Sequence, residues 1–208
     1  VSLEEDIIRY GYSLFPRHFS LAAYEYIFLF PQIILDAYKV SIVVTVVGTA
    51  LSLFLSAMAA YVLYRKLVKY RHALAFFIFF TTLFHGGLAS FYIVVTRYLH
   101  MKDTWLALII LPMFNVIYIL ILRSFVQSSI PDALVEAATI DGAGEFRIFL
   151  TIVLPLLKPA LASIGLFTAL HYWNDWFTAM LFIDDRRLFP LQFVLYQMLS
   201  NVNLAPNI

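Results

Sequence analysis

The sequence predicts an all-α fold, a polytopic bundle of transmembrane helices, and three observations carry that reading. Of 208 residues, 62% are hydrophobic and 13% charged. The mean hydropathy is +0.86. Soluble domains average about 45–50% apolar and about 25% charged residues, so a surface of this composition suits lipid and would aggregate in water. Four apolar runs each reach the ~20 residues that a bilayer crossing needs, and a short basic loop joins the first two.

The runs differ in texture. Val40 to Tyr64 holds no charged residue, and its small residues Gly48, Ser52, Ser56, Ala57 and Ala60 recur at helical spacing, which suits close packing by a second helix. Ala73 to Thr96 is interrupted by His85-Gly86-Gly87, which either loosens the span beside a pathway or allows a close helix crossing. Thr104 to Leu122 contains Pro112 and Asn115; Ala160 to Ile183 contains His171, Asn174 and Asp175. Residues 1–10 mix Glu4, Glu5, Asp6 and Arg9 with apolar residues, unlike a signal peptide. Residues 1–37 read as an amphipathic extracytoplasmic segment, with Tyr24, Tyr26, Phe28 and Phe30 along the outer membrane surface, and 38–208 as the transmembrane domain.

Charge sets the orientation. Arg65, Lys66, Lys69 and Arg71 crowd one connection, which the positive-inside rule places in the cytoplasm. Parity then puts 97–103 and 184–208 outside and the long polar segment 123–159 inside. A net charge of +1 gives no reason to expect nucleic acid. The absence of cysteine removes disulfides, thiol chemistry and cysteine-bound metals. No residue pattern calls for a metal or another cofactor.

Segment 123–159 reads as two short helices and a bend. Pro131 suits a first helical turn, and Asp132 and Glu136 complement the positive end of the helix dipole. Gly142 and Gly144 supply a break where positive φ is easily adopted. A second helix from about Glu145 carries Phe146, Phe149, Leu150 and Val153 on its apolar side, and Pro155 and Pro159 end or kink it. By physics alone, this segment is either a docking element or an amphipathic connector.

The string EAATIDGAGEFRIFLTIVLP separates those readings. Its E-A-A, three residues, G, nine residues, I, one residue, L-P runs through Glu136, Ala137, Ala138, Gly142, Ile152, Leu154 and Pro155. This resembles, at every defined position, the signature loop of permease subunits of binding-protein-dependent ATP-driven importers, the ABC importers. RSFVQSSIPDALVEAATIDGAGEFRIF, LPLLKPALASIGLF, HYWNDWFTAMLFI, FHGGLASFY and RRLFPLQFVLYQML are similar to the second permease subunit of maltose-type carbohydrate importers, in a branch associated with complex oligosaccharides.

The resemblance covers the chain from about Tyr38. It implies a type I importer permease with six spans, so four would make this a piece lacking the first and last helix. Ser90 stands where relatives often carry proline, which puts a kink in the second span in question. The resemblance further implies that Asp132 to Asp141 is a coupling helix seated in a cleft of an ATPase subunit. Glu136 would meet a basic residue there, Ala137 and Ala138 would permit close approach, and Gly142 would form the turn. The implied partners are a homologous permease subunit, two copies of a cytoplasmic ATPase and an extracytoplasmic solute-binding protein, with membrane lipid around them in a bacterial plasma membrane. No phosphate-cradling G-x-x-x-x-G-K-[ST] occurs, so ATP hydrolysis is assigned to the partner.

Inside the membrane, Tyr172, Trp173, Asn174, Asp175 and Trp176 combine ring faces with polar groups, as a sugar site does. They also fit an interfacial aromatic belt with a helix-packing hydrogen bond, which is the reading the residues alone favour. With His85 they are the candidate substrate pathway. His171 stands one turn from Asp175, within reach of an i,i+4 contact. The amphipathic stretch Leu188 to Leu199 is a candidate contact for a binding protein or an outer plug. An ion-coupled secondary transporter and a non-transporting membrane assembly protein are the rival classes; the first needs more intramembrane charge than one carboxylate.

Overall fold

The computed structural model describes residues 31–84 and 86–204; the calls on Tyr24, Tyr26, Phe28, Phe30 and His85 lie outside the described residues. Helix α1, Pro31–Tyr64, has 34 residues and at ~1.5 Å per residue runs roughly 50 Å. That exceeds the ~30 Å hydrocarbon core. It starts nine residues before the charge-free run because nothing breaks the helix there. Asp36 and Lys39 on that extension pair with each other at 3.0 Å.

The remaining spans are broken. The second comprises α2, Arg71–Leu83, and α3, Leu88–Ile93, which runs on into a π turn, Val94–Tyr98. Gly87 stands at φ 83°, so the break comes from glycine upstream of Ser90 and needs no proline. The third comprises α4, Trp105–Ile110, and α5, Val116–Ser129. The fourth comprises α9, Lys158–Trp173, and α10, Phe177–Phe182. Between the last two spans lie α6, Asp132–Ile140, and a rod, Glu145–Leu156, made of α7, Glu145–Ile148, a π turn, Phe149–Val153, and α8, Leu154–Leu156. After a 3₁₀ turn, Arg186–Leu188, α11 covers Leu191–Leu204. The described residues contain no strand. Among the described residues only α1 is long and apolar enough to cross a membrane as one straight helix; three bent pairs, α2 with α3 and its π turn, α5 with α6, and the rod with α9, reach that length and apolarity only when each pair is taken together.

Helix α1 is the axis of the bundle, packed along α5 and α9. Its small-residue stripe is the contact face: Ala57 and Ala60 are fully buried, against Val126 and Leu157 and against Leu122 and Ile164 respectively. The approach is closest at Gly48, where a Cβ would lie 2.5 Å from the ring of Tyr172.

Each break leaves backbone groups that need partners, and side chains supply them at the breaks in the third and fourth spans. Around Pro112 the Met113 N–H turns to Ile110 O at 3.2 Å. The Ile109 carbonyl this releases accepts the Tyr172 hydroxyl at 2.6 Å, and Met113 O accepts Ser52 Oγ at 2.6 Å. Asn115 Oδ1 accepts the Ile117 N–H at 3.0 Å, capping α5. Asp175 Oδ1 does the same for Thr178 at 3.0 Å, capping α10.

The two ends of the bundle carry separate loops. At one, Asp103 Oδ1 accepts the N–H groups of Asp184 at 2.5 Å and Asp185 at 2.9 Å. These two bonds, Asp185 first, hold its carboxyl below the usual carboxylate range. Lys102 pairs with Asp184 at 2.6 Å, so 97–103 and 184–185 share a side, as parity requires. At the other end the basic connection 65–70 meets segment 130–145.

The Tyr172 pillar yields a prediction. Gly48→Ala must displace a ring whose hydroxyl is already committed, and Tyr172→Phe orphans Ile109 O. Each should lower stability by about 1–3 kcal/mol, read as a reduced midpoint in thermal unfolding of the detergent-solubilised protein.

Candidate functional site

The candidate site is the two-helix loop at the basic end. Pro131 is the N-cap of α6, one position earlier than the first helical turn, with φ −62° and ψ 131°. Helix α6 ends in a Schellman motif: Ala143 N–H reaches Ala138 O at 2.9 Å and Gly142 N–H reaches Thr139 O at 3.1 Å. Gly142 at φ 80° makes that geometry possible. Gly144 needs no such freedom; it is an extended N-cap at φ −70° and ψ 154°.

Helix α6 is anchored on one side and open on the other. Val135 is 1% exposed and packs with Ile130, Ile148 and Phe149, with Ala138 beside it. Leu134, Glu136, Ala137, Ile140 and Asp141 face outward, Ile140 at 85% exposure. Glu136 and Asp141 have no side-chain hydrogen bond or ion pair among the described residues. Ile152 and Leu154 are half-buried against the same cluster, while Pro155 is exposed.

The rod departs from its expected apolar face. Phe149 and Val153 are buried as expected, but Phe146 and Leu150 are exposed, and Ile148 and Leu157 complete the inner line instead. The π turn over Phe149–Val153 holds an extra residue, which rotates every later side chain. It also precedes Pro155, whose missing N–H would otherwise interrupt an α-helical ladder. Pro155 therefore does not end the helix; the rod bends 79° into α9 beyond it.

What the sequence left unread is how this loop is held. Glu145, at the start of the rod, accepts Tyr61 Oη at 2.6 Å and Arg65 Nε at 3.0 Å. Arg65 Nη2 bonds its second carboxylate oxygen. Asp132, at the start of α6, accepts Lys66 Nζ at 2.8 Å and also the Tyr64 hydroxyl. Both helices of the loop are thus fastened by their first residues to the end of α1. Phe149 adds an apolar lock, with ring centroids 5.9 Å from Phe54 and 5.7 Å from Tyr61. The Arg65 bonds hold the Glu145 carboxyl below its usual 4.5, with Tyr61 assisting. Lys66, then Tyr64, holds Asp132 below 3.8. Tyr61, Tyr64, Arg65, Lys66 and Glu145 therefore join the site. The signal was available: a basic run and two acidic helix starts, assigned to the same side.

The candidate pathway residues divide. His171, Asn174, Asp175 and Trp176 line a groove of about 390 Å³ with Tyr118 and Phe177. A second hollow of about 240 Å³, at the break in the third span, shares Tyr118 and His171 and adds Asn115. Trp176 stacks on Tyr196 with centroids 4.2 Å apart. Asn174 donates to Leu170 O at 2.8 Å. Asp175 is turned to its own cap at Thr178 rather than to His171. Tyr172 stands apart, buried with its hydroxyl engaged, and Trp173 packs near Tyr38.

The chain belongs to the family of binding-protein-dependent transport system inner membrane components, whose description matches residues 52–204. It is 43% identical over 193 residues to the polygalacturonan/rhamnogalacturonan transport system permease protein YtcP of Bacillus subtilis, covering 93% of this chain and 66% of that protein. It is 41% identical over 194 residues to the protein LplC of the same organism, covering 93% and 65%. The chain thus spans just under two thirds of the length of these curated relatives. Its fold is that of a bacterial ABC transporter involved in the import of the acidic polysaccharide alginate, with a TM-score of 0.81 and 30% identity over 94% of this chain and 69% of that one. The all-α type I permease fold follows.

Two outcomes are expected of the loop. A Cβ on Gly142 meets open space, so Gly142→Val should lose only conformational energy, roughly 1–2 kcal/mol, and unfasten α6 without preventing membrane insertion; amide exchange over 137–143 measures it. Because both carboxyls are depressed, the fastening is complete above their ordinary values and is lost only as pH falls through the lowered ones. Exchange protection over 132–148 should therefore be unchanged from about pH 8 to pH 5, whereas Glu145→Gln should lose it at every pH.

Proposed function

We propose that this chain is the transmembrane permease subunit of an ABC importer in a bacterial plasma membrane, crossing it several times and translocating a carbohydrate, an oligosaccharide in particular. The loop face of Glu136, Ala137, Ile140 and Asp141 seats in a cleft of a cytoplasmic ATPase subunit. A homologous permease chain completes the pathway, two ATPase copies drive it, and an extracytoplasmic solute-binding protein delivers cargo. The observation that carries the reading is a helix anchored through Val135 yet presenting Ile140 at 85% exposure. Leu134, Ala137 and Ile140, exposed at three-residue spacing on one side of α6, make a contiguous apolar strip that suits a partner surface.

In this reading ATP closes the ATPase pair and moves α6. Because Asp132 and Glu145 tie the loop to the end of α1, and α1 packs along α5 and α9, displacement of the loop repacks the spans. Alternating access is then a shift between two packings. The groove of His171, Asn174, Asp175 and Trp176 is the candidate cargo surface, where rings stack on sugar faces and amides meet hydroxyls. The cargo class draws support from the names of the polygalacturonan/rhamnogalacturonan and alginate systems to which the chain is similar.

In the complex reconstituted with its ATPase and binding protein, Glu136→Lys should reduce ATP-driven uptake by about 5- to 150-fold, the loss that corresponds to ~1–3 kcal/mol of coupling. Unchanged uptake would remove the docking assignment. Trp176→Ala should raise the KM for oligosaccharide uptake and leave assembly with the ATPase intact.

A further inference from the structure

At the basic end, a second cleft of about 530 Å³ lies between the end of α1, the start of α2 and the last turns of α5. Lys66, Arg71, Arg123, Gln127, Ser128 and Asp132 line it. Its charges do not balance. Three cations face one carboxylate, and that carboxylate is already engaged by Lys66 and Tyr64. Among the described residues the Arg71 side chain donates only to His72 Nε2, at 3.3 Å. Arg123 is half-buried and has neither an ion pair nor a side-chain hydrogen bond among the described residues.

Depth makes Arg123 informative. It directly follows the apolar run Val116–Leu122 and stands six residues before the end of α5, about 9 Å inside it. An uncompensated guanidinium at that level is costly and reaches toward the headgroup layer for an anion. Arg71 opens α2, a helix without buried residues. One and two turns further along its stripe stand Leu74 and Ile78, an apolar track leading away from the cations. Cations beside an apolar track of exposed Leu74 and half-buried Ile78 match an acidic headgroup and its acyl chain. A free anion would leave the track unused.

We propose that this cleft binds the headgroup phosphate of one anionic phospholipid, held by the guanidinium forks of Arg71 and Arg123, with the acyl chain along Leu74 and Ile78. Lys66 then lies between the lipid phosphate and Asp132, so lipid charge bears directly on the fastening of the coupling loop. The inference depends on the membrane orientation given above, and it is independent of the cargo.

The test uses the chain in its purified assembly with its partner subunits, taken from vesicles of phosphatidylcholine with about 30% phosphatidylglycerol. Native mass spectrometry counts the retained phosphatidylglycerol with no cargo present, so an error about transport leaves the reading untouched. The wild type should retain one more phosphatidylglycerol per copy of the chain than Arg71→Gln with Arg123→Gln, while Arg123→Lys keeps it. If the double variant fails to assemble, Arg71→Gln alone gives the same reading, since that residue is the first of its helix. Equal retention by wild type and variant overturns the proposal. So does displacement of the lipid by millimolar inorganic phosphate, which would make the site one for free anions, or a cross-link showing a partner's carboxylate seated at Arg123.

Discussion

Glu145 and Asp132, each at the first position of a loop helix, are gripped by four side chains from the last turn of α1 and the two residues after it. Helix α6 has nine residues, too few to be stable alone in water. Its order therefore comes from these contacts and from the burial of Val135, with Phe149 wedged between Phe54 and Tyr61. The carboxylate of Glu145 meets Arg65 through both oxygens, a geometry that fixes direction as well as distance. A loop held this way transmits a push; a loop hinged at one end would absorb it.

The spans packed along α1 are not plain cylinders. Breaks at Gly87, at Pro112 and at Asn174-Asp175 free backbone groups in surroundings where water is scarce. Ser52, Asn115, Tyr172 and Asp175 satisfy those around the second and third breaks. The third break lies beside the groove lined by His171, Asn174, Asp175 and Trp176, and the second beside the hollow lined by Asn115 and His171. Gly48 lets α1 approach Tyr172 closely enough for its hydroxyl to reach Ile109. Packing along α1 and polarity in the groove thus share residues, so motion at one is felt at the other.

Much of this was legible in the sequence, for identifiable reasons. Composition and run length disclosed the membrane class, and the basic run before Arg71 placed the loop on the correct side relative to 97–103. Gly142 was legible because a helix ending in a Schellman motif needs a residue at positive φ, and glycine takes it most easily. The breaks at Pro112 and Asn174 were not drawn, because hydropathy averages over a broken helix as over an intact one. The rotated face of the rod escaped because a π turn leaves the apolar count unchanged while shifting the phase. The fastening escaped because each charge was read locally: Arg65 and Lys66 as an orientation signal, Asp132 as a dipole complement, Glu145 merely as a helix start. Pairing residues 80 positions apart requires tertiary structure.

In the proposed coupling, the pairing of Arg65 with Glu145 is the link through which the loop acts on α1. The most direct measurement is ATP-driven uptake by the reconstituted complex in a charge-exchange cycle: Arg65→Glu, Glu145→Arg, and both together. The account predicts that each single exchange uncouples ATP hydrolysis from uptake and that the double exchange restores a substantial part of it. Losses that simply add in the double variant would contradict it.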